Sequence, residues 1–175
     1  MHNYVQTLLC LALLCYSAVQ AQSNPEIPAQ AVLRVSALQK EATMTKQAQG
    51  TFEVRLTPQK PDSREAEVAN LGRMSIDKQF HGDLEAVGTG EMLSAVTGVK
   101  GSAGYVAMER VKGTLHGRNG SFVLQHTGTM NRGVPQMSVT VVPDSGSGEL
   151  EGLSGTMTIK IEEGKHFYVF EYTLP

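Results

Sequence analysis

From Gly50 to the end of the chain, apolar and polar residues alternate one by one in short stretches. In the stretch TFEVRLTP, for example, Phe52 and Val54 alternate with Glu53 and Arg55. Successive side chains of a β-strand point to opposite faces, so this alternation predicts strands with one buried and one solvated face. Eight such stretches predict eight strands: TFEVRLTP, GRMSIDKQFHG, GDLEAVGTGEML, GYVAMERVKGTLHG, GSFVLQHTGTM, QMSVTVV, GTMTIKIE and HFYVFEYTL.

Short glycine-containing connections separate most of these stretches, which predicts an antiparallel meander. In GRNGS, the pair Asn119–Gly120 is typical of a two-residue type I′ hairpin turn. Gly82, Gly88 and Gly90, all in the third stretch, indicate bends or bulges. A sheet of antiparallel strands removes its two exposed edges most simply by closing on itself. We therefore predict an all-β fold, a single eight-stranded antiparallel closed barrel.

The N-terminus, MHNYVQTLLCLALLCYSAVQAQS, differs from the rest of the chain in composition. An apolar stretch followed by small residues is typical of a secretory signal peptide, which predicts removal of residues 1–21. The alternative is an uncleaved membrane anchor, but a spanning helix needs about 20 predominantly apolar residues, and Gln6, Thr7, Ser17 and Gln20 cut this stretch short. No stable membrane span is therefore expected once the leader is removed. Cys10 and Cys15 lie in this leader and no cysteine follows it, which excludes disulfides from the mature protein.

These features predict an exported protein, periplasmic or secreted, with three segments. Residues 1–21 are the signal peptide, residues 22–49 form a flexible or weakly helical segment, and residues 50–175 form the barrel domain. A domain of this length buries enough apolar surface to fold without disulfides.

The charge and motif content argues against several classes of function. The formal net charge is −2 and no basic block occurs, so nucleic-acid binding is not expected. The four histidines after the leader have no H-E-x-x-H or similar spacing, and we expect no metal site and no cofactor. No serine lies in a G-x-S-x-G elbow, and GSGELEG lacks the strand-to-helix context of a phosphate-binding loop.

The alternation also assigns side chains to the inside or the outside of the barrel. Arg110 and Lys112 belong in water, which turns Tyr105 and Glu109, on the other face of the same strand, inward. The last strand has aromatic residues on both faces and is ambiguous, so one face is expected to contact the N-terminal segment or a second subunit of a homo-oligomer. The candidate ligand-binding residues of the lumen are Glu109, His126, Lys78, Tyr105 and Glu171.

Two interpretations of Glu109 and His126 are open at this point. A carboxylate and an imidazole on neighbouring strands can hydrogen-bond to each other, which satisfies two buried polar groups and makes the core unique. Alternatively, an eight-stranded barrel has room for one small ligand, and two convergent polar groups would orient that ligand or move a proton.

The barrel region resembles a bacterial family known only as a domain of unknown function. The resemblance covers about residues 50–175 and rests on YVAMERVKGTLHGRNGSFVLQHTGTM, VVPDSGSGELEGLSG and FYVFEYTL. It implies a small closed barrel similar in fold to allene oxide cyclase, which is a calycin-like barrel. The family has no established activity, so the resemblance implies architecture and not chemistry.

Three hypotheses of function follow from these predictions. The first is a binding module that holds a small apolar or amphipathic ligand in its lumen. The second is a cyclase-like or isomerase-like enzyme that acts by confining its substrate, supported only by analogy of fold. The third is a structural barrel with a filled core. Whether the protein is an enzyme is left open by the sequence.

Overall fold

The structure is a computed structural model that describes residues 44–60, 63–68 and 71–175. The predicted signal peptide and residues 22–43 lie outside the described residues. The described elements are β1 (Lys46–Gln59), α1 (Arg64–Val68), β2 (Leu71–Gly82), β3 (Leu84–Val96), β4 (Ala103–Leu115), β5 (Arg118–Asn131), β6 (Val134–Val141), β7 (Ser147–Gly148), β8 (Ser154–Glu162) and β9 (Lys165–Thr173). Within these ranges, no helix has the length and apolar character needed to cross a membrane.

The strands form one antiparallel sheet that closes on itself. Their order is β4-β3-β2-β1-β9-β8-β6-β5, and β5 pairs again with β4, so eight strands make a closed barrel. The two-residue strand β7 pairs with the start of β5 outside this ring. The predicted closed eight-stranded antiparallel barrel is therefore confirmed.

Strand β1 begins earlier than the sequence pattern predicts. Its first residues, Lys46 to Gln49, pair with Tyr172 to Val169 of β9 and so complete the ring. Ala48 is fully buried, because it faces inward among the aromatic residues of β9. Alternation of large apolar residues starts only at Phe52, which is why the pattern placed the strand start at Gly50.

The strands are strongly tilted. We start at Pro58 on β1 and step from each inner residue to its partner on the next strand. After one full circuit of the ring the path reaches β1 again at Ala48, so the register is offset by ten residues (58 to 48) along the strand. With a rise of about 3.3 Å per residue and a strand spacing of about 4.8 Å, this stagger corresponds to a tilt of about 40°. The barrel is therefore a hyperboloid whose outer surface is convex around the axis and concave along it.

Tight two-residue turns join three of the strand pairs. Each has a left-handed non-glycine residue followed by a left-handed glycine: His116–Gly117, Arg132–Gly133 and Glu163–Gly164. The predicted turn at Asn119–Gly120 is wrong by three residues. Both residues belong to β5, where the Asn119 amide donates a hydrogen bond to the Glu149 carboxylate and the Asn119 carbonyl accepts one from the Glu149 amide.

One end of the barrel is packed, and we call it the closed end. It carries the β2–β3, β4–β5 and β6–β8 connections, and Leu150 and Leu153 of the last of these are buried in the core. The inner side chains of this half are less than 10% exposed, and the largest are Phe52, Phe80, Leu84, Leu115, Phe122, Tyr168 and Phe170. The rings of Phe122 and Phe170 stack across the interior with centroids 5.7 Å apart.

The opposite half of the interior is not filled, and we call it the open half. Most of its inner-face side chains are apolar, yet Leu56, Met130, Met137 and Ile161 are between 43% and 64% exposed. The wall is also weakest here, because β6 and β8 pair only at Thr140 and Thr156. Met137 and Ile161 lie on the two sides of this seam.

Candidate functional site

Three polar side chains meet inside the barrel at the boundary between its two halves. Lys78 comes from β2, Glu109 from β4 and His126 from β5, and each is almost completely buried. The Lys78 Nζ atom lies 2.6 Å from Glu109 Oε2, and His126 Nε2 lies 3.0 Å from the same oxygen. The inward placement of all three is as the alternation predicted, and the structure adds that Lys78 is the closest partner of Glu109.

The Lys78 ammonium is also held by aromatic rings. Its Nζ lies 4.7 Å from the centroid of Phe52 and 5.1 Å from that of Phe80. The face of an aromatic ring attracts a cation, and this attraction strengthens where water is excluded. These contacts partly replace the hydration that the ammonium loses on burial.

Glu109 is ionised in this cluster. Burial alone would raise its pKa, but the contacts with His126 and Lys78 outweigh burial and hold the pKa of the carboxyl below its usual value. The ionised Glu109 carboxylate is therefore the counter-ion of the buried Lys78 side chain.

The hydrogen bonding of the cluster is incomplete. Within the described residues, Glu109 Oε1 and His126 Nε2 make no well-directed hydrogen bond, although both atoms are buried. The imidazole is close to the carboxylate, but its N–H does not point along the line between Nε2 and Oε2. Unsatisfied buried polar atoms are uncommon and mark places where a ligand or a bound water adds a partner.

The alternation alone did not identify the glycines that make room for the site. A Cβ atom on Gly88 would lie 1.9 Å from Glu109 Oε1, so the carboxylate occupies the space that a side chain would take. Gly88 and Gly90 lie within the continuous strand β3, and the predicted bends there are wrong. A glycine at an inward position on the strand next to an inward carboxylate is the sequence pattern that could have identified Gly88.

Tyr105 lies on the open side of the cluster. It faces inward from β4 and is half-buried, and a Cβ atom on Gly128 would lie 2.2 Å from its ring. Burial raises the pKa of the Tyr105 hydroxyl. Its hydroxyl makes no hydrogen bond with the described residues, which leaves it free to bind a ligand in the open half.

Glu171 is not a lumen residue, and that prediction is wrong. Its side chain is exposed on the outer face of β9, whereas Tyr168, Phe170 and Tyr172 of the same strand are buried. Both faces of this strand carry large apolar residues, and the core takes the face whose aromatic rings pack on Phe80 and Phe122. The charged residue is left in water.

Among residues 44–60, 63–68 and 71–175, no group of three or more His, Cys, Asp or Glu side chains has an arrangement that could hold a metal ion. The Lys78–Glu109–His126 cluster itself offers an ammonium, a carboxylate and an imidazole. These groups can bind a polar end of a ligand or transfer a proton to it.

The family described as Protein of unknown function (DUF3224) matches residues 48–172. The chain belongs to this family. It is similar to the crystal structure of a DUF3224 protein of unknown function from Shewanella oneidensis MR-1, with 53% sequence identity and a TM-score of 0.70. The similarity covers 75% of this chain and 98% of that chain. No curated protein matches the sequence. The described part of this DUF3224 chain is thus a closed barrel.

The lowered pKa of Glu109 predicts a dependence of stability on pH. A carboxyl whose pKa is lower in the folded than in the unfolded protein stabilises the fold above its ordinary pKa of 4.5. This contribution is lost as the pH falls through the lowered folded pKa. We expect the difference in unfolding free energy between the parent and Glu109→Gln, measured in urea, to shrink below pH 4.5. The contributions of all other carboxylates are the same in both proteins and cancel in that difference. A difference that does not depend on pH would contradict the lowered pKa of Glu109.

Proposed function

We propose that this DUF3224 protein is an exported binding protein that holds a small apolar or amphipathic molecule in the open half of its barrel. The supporting observation is the inner surface of that half, where four apolar side chains from four strands are between 43% and 64% exposed. An apolar surface of this kind inside a closed sheet gains stability when an apolar molecule covers it. Export is supported by the leader-like composition of residues 1–21.

The lining suits a ligand with one polar end. Met130 and Met137 supply flexible, polarisable side chains that adapt to different apolar shapes. Tyr105 faces the same half and His126 lies at its base, where a hydroxyl or carbonyl group of the ligand would meet them. Pockets for small molecules commonly combine an apolar lining with a few convergent polar groups.

We also propose the finer likeness to the allene oxide cyclase barrel, which rests on the sequence resemblance and agrees with eight antiparallel strands in one closed ring. A second candidate function, an enzyme that acts by confinement, is favoured by the imidazole 3.0 Å from an ionised carboxylate at the base of the open half. Such a pair can move a proton on a confined substrate.

A pair of matched methionines tests the binding proposal. Met137 faces the open half and Met108 faces outward from β4, and they are 46% and 52% exposed. We expect Met137→Lys to weaken binding of the neutral apolar probe N-phenyl-1-naphthylamine about tenfold, because a charge then lies against the bound probe. Met108→Lys should leave the dissociation constant unchanged. The measurement is a fluorescence titration.

The outcomes separate the three hypotheses. Equal binding in the two variants, or loss only in Met108→Lys, would place the probe outside the barrel and refute the proposal. No probe binding to the parent, together with no co-purified molecule in its native mass spectrum, would favour a filled structural barrel. A retained molecule identified by mass that the protein converts to a product would favour the enzyme.

A further inference from the structure

A second histidine faces the lumen at the level of the buried cluster. His166 lies near the start of β9, on the same inner face as Tyr168 and Phe170, and its side chain is partly buried. Its ring stacks on Phe52 with centroids 4.9 Å apart, and the same Phe52 ring has its centroid 4.7 Å from the Lys78 Nζ atom. His166 therefore lies at the floor of the open half, where a bound molecule would reach it.

His166 faces the cluster from the opposite wall of the barrel. In the ring of eight strands, β9 is four strands away from β4, which carries Glu109, and three away from β5, which carries His126. Among the described residues the His166 ring has no hydrogen-bond or ion-pair partner, and His126 Nε2 makes no well-directed hydrogen bond. Two imidazoles with unused hydrogen-bonding capacity thus border the floor from two sides.

The floor offers no counter-charge to a ligand. Lys78 and Glu109 are each other's counter-ions. In the open half, the inner positions of the described strands carry no Lys, Arg, Asp or Glu side chain. A carboxylate or ammonium group on a ligand would lose its hydration there without gaining an opposite charge. A neutral polar end therefore suits the floor better than a charged one.

A hydroxyl group matches the imidazoles better than a carbonyl group does. A neutral imidazole has one N–H donor and one acceptor nitrogen, and a hydroxyl both donates and accepts. A hydroxyl can therefore bond to either ring nitrogen in either tautomer, whereas a carbonyl oxygen only accepts.

We propose that the ligand of the open half is a neutral amphiphilic alcohol, and that His166 binds its hydroxyl group at the floor of the lumen. This inference rests on the proposed binding function and names the ligand class of that same site. Ile161, the partner of His166 across the β8–β9 pair, then contacts the adjoining apolar part of the ligand.

Competition between 1-decanol and decanoate for bound N-phenyl-1-naphthylamine tests the ligand class. The two compounds have the same chain length, and decanoate is ionised at about pH 8. We expect 1-decanol to displace the probe at a concentration lower by about tenfold or more, because burying an unpaired charge costs more than burying a hydrogen-bonded hydroxyl. Equal competition by the two compounds, or stronger competition by decanoate, would overturn the proposal.

Substitution of His166 tests its role, with an outer histidine as the control. His166→Phe keeps a ring against Phe52 but removes both nitrogens. It should lower the affinity for 1-decanol relative to that for the probe by about three- to tenfold, the effect of one lost hydrogen bond. His166→Gln, which keeps a donor and an acceptor, should restore part of this loss. His81→Phe alters an exposed histidine on the outer face of β2 and should leave the ratio unchanged.

The outcomes distinguish this inference from the binding proposal on which it rests. If the probe binds to the parent and less tightly to Met137→Lys, but the affinity ratio is the same in His166→Phe, the alcohol assignment is wrong and the binding function stands. If the probe does not bind to the parent, both proposals are wrong. If circular dichroism shows that His166→Phe does not fold, the same ratio is measured in His166→Leu, where an unchanged ratio refutes the role of His166.

Discussion

Glu109→Gln should lower the free energy of unfolding by about 3–5 kcal/mol, which is the usual cost of breaking a buried ion pair. The substitution keeps the size and shape of the side chain but removes the charge that faces Lys78 at 2.6 Å. The Lys78 side chain is 5% exposed, and its ammonium cannot reach water without leaving the rings of Phe52 and Phe80. It then has to remain charged without a counter-ion or lose its proton, and both alternatives destabilise the fold.

A double-mutant cycle shows whether the pair itself is responsible. Lys78→Met alone should also destabilise, because it leaves the Glu109 carboxylate buried without its cation. In Lys78→Met/Glu109→Gln no buried charge remains at the pair, and the unfolding free energy should recover by about 1–3 kcal/mol relative to the sum of the single variants. Additive effects in urea unfolding would show that the two side chains act separately. A loss below about 0.5 kcal/mol for Glu109→Gln would show that the pair does not stabilise the fold.

Gly88→Ala should cost about 3 kcal/mol, although alanine is otherwise at least as well tolerated as glycine in a strand. The new Cβ atom would lie 1.9 Å from Glu109 Oε1 and 2.9 Å from Cδ, so the carboxylate has to move. It cannot turn away without leaving Lys78 and His126, which hold its other oxygen. The substitution therefore acts by separating a buried ion pair. Urea unfolding of this variant and the parent measures the loss.

Two controls apply to Gly88→Ala. Gly98 has no atom within 4 Å of its added Cβ, and Gly98→Ala should change the unfolding free energy by less than about 0.5 kcal/mol. In a Glu109→Ala background the carboxylate is gone, and adding Gly88→Ala should then cost little. If Gly88→Ala were equally harmful in that background, the strain would come from the strand itself.

The alternation of side chains was enough to predict the strands of the barrel and most of the inward-facing candidates. Arg110 and Lys112 fixed the orientation of one strand, and Glu109, His126 and Lys78 followed because the same rule holds on neighbouring strands. The contact between Glu109 and His126 was anticipated, but the contact of Lys78 with the same carboxylate oxygen was not predictable. It depends on which residues stand opposite each other, and that register follows from turn positions.

Two of the predictions that failed are the inward placement of Glu171 and the position of the β4–β5 turn. In the first case the alternation favoured neither face of the strand, and in the second the turn propensity favoured the wrong residues. On β9 both faces offer aromatic residues, so composition alone could not place Glu171. At the β4–β5 turn, Asn119–Gly120 has the better intrinsic preference, yet the turn forms at His116–Gly117. The observed position pairs Asn119 with the Glu149 backbone, a contact between segments 30 residues apart. Tertiary contacts of this kind override turn propensity.

The pairing of β1 with β9 has a consequence for the order of assembly. These two strands hold the ring together, and their pairing joins Lys46 to Tyr172, at opposite extremes of the domain. The ring cannot be completed before β9 has left the ribosome, and contacts of such long separation form slowly. A growing chain thus cannot close its sheet into a ring until its last strand is made.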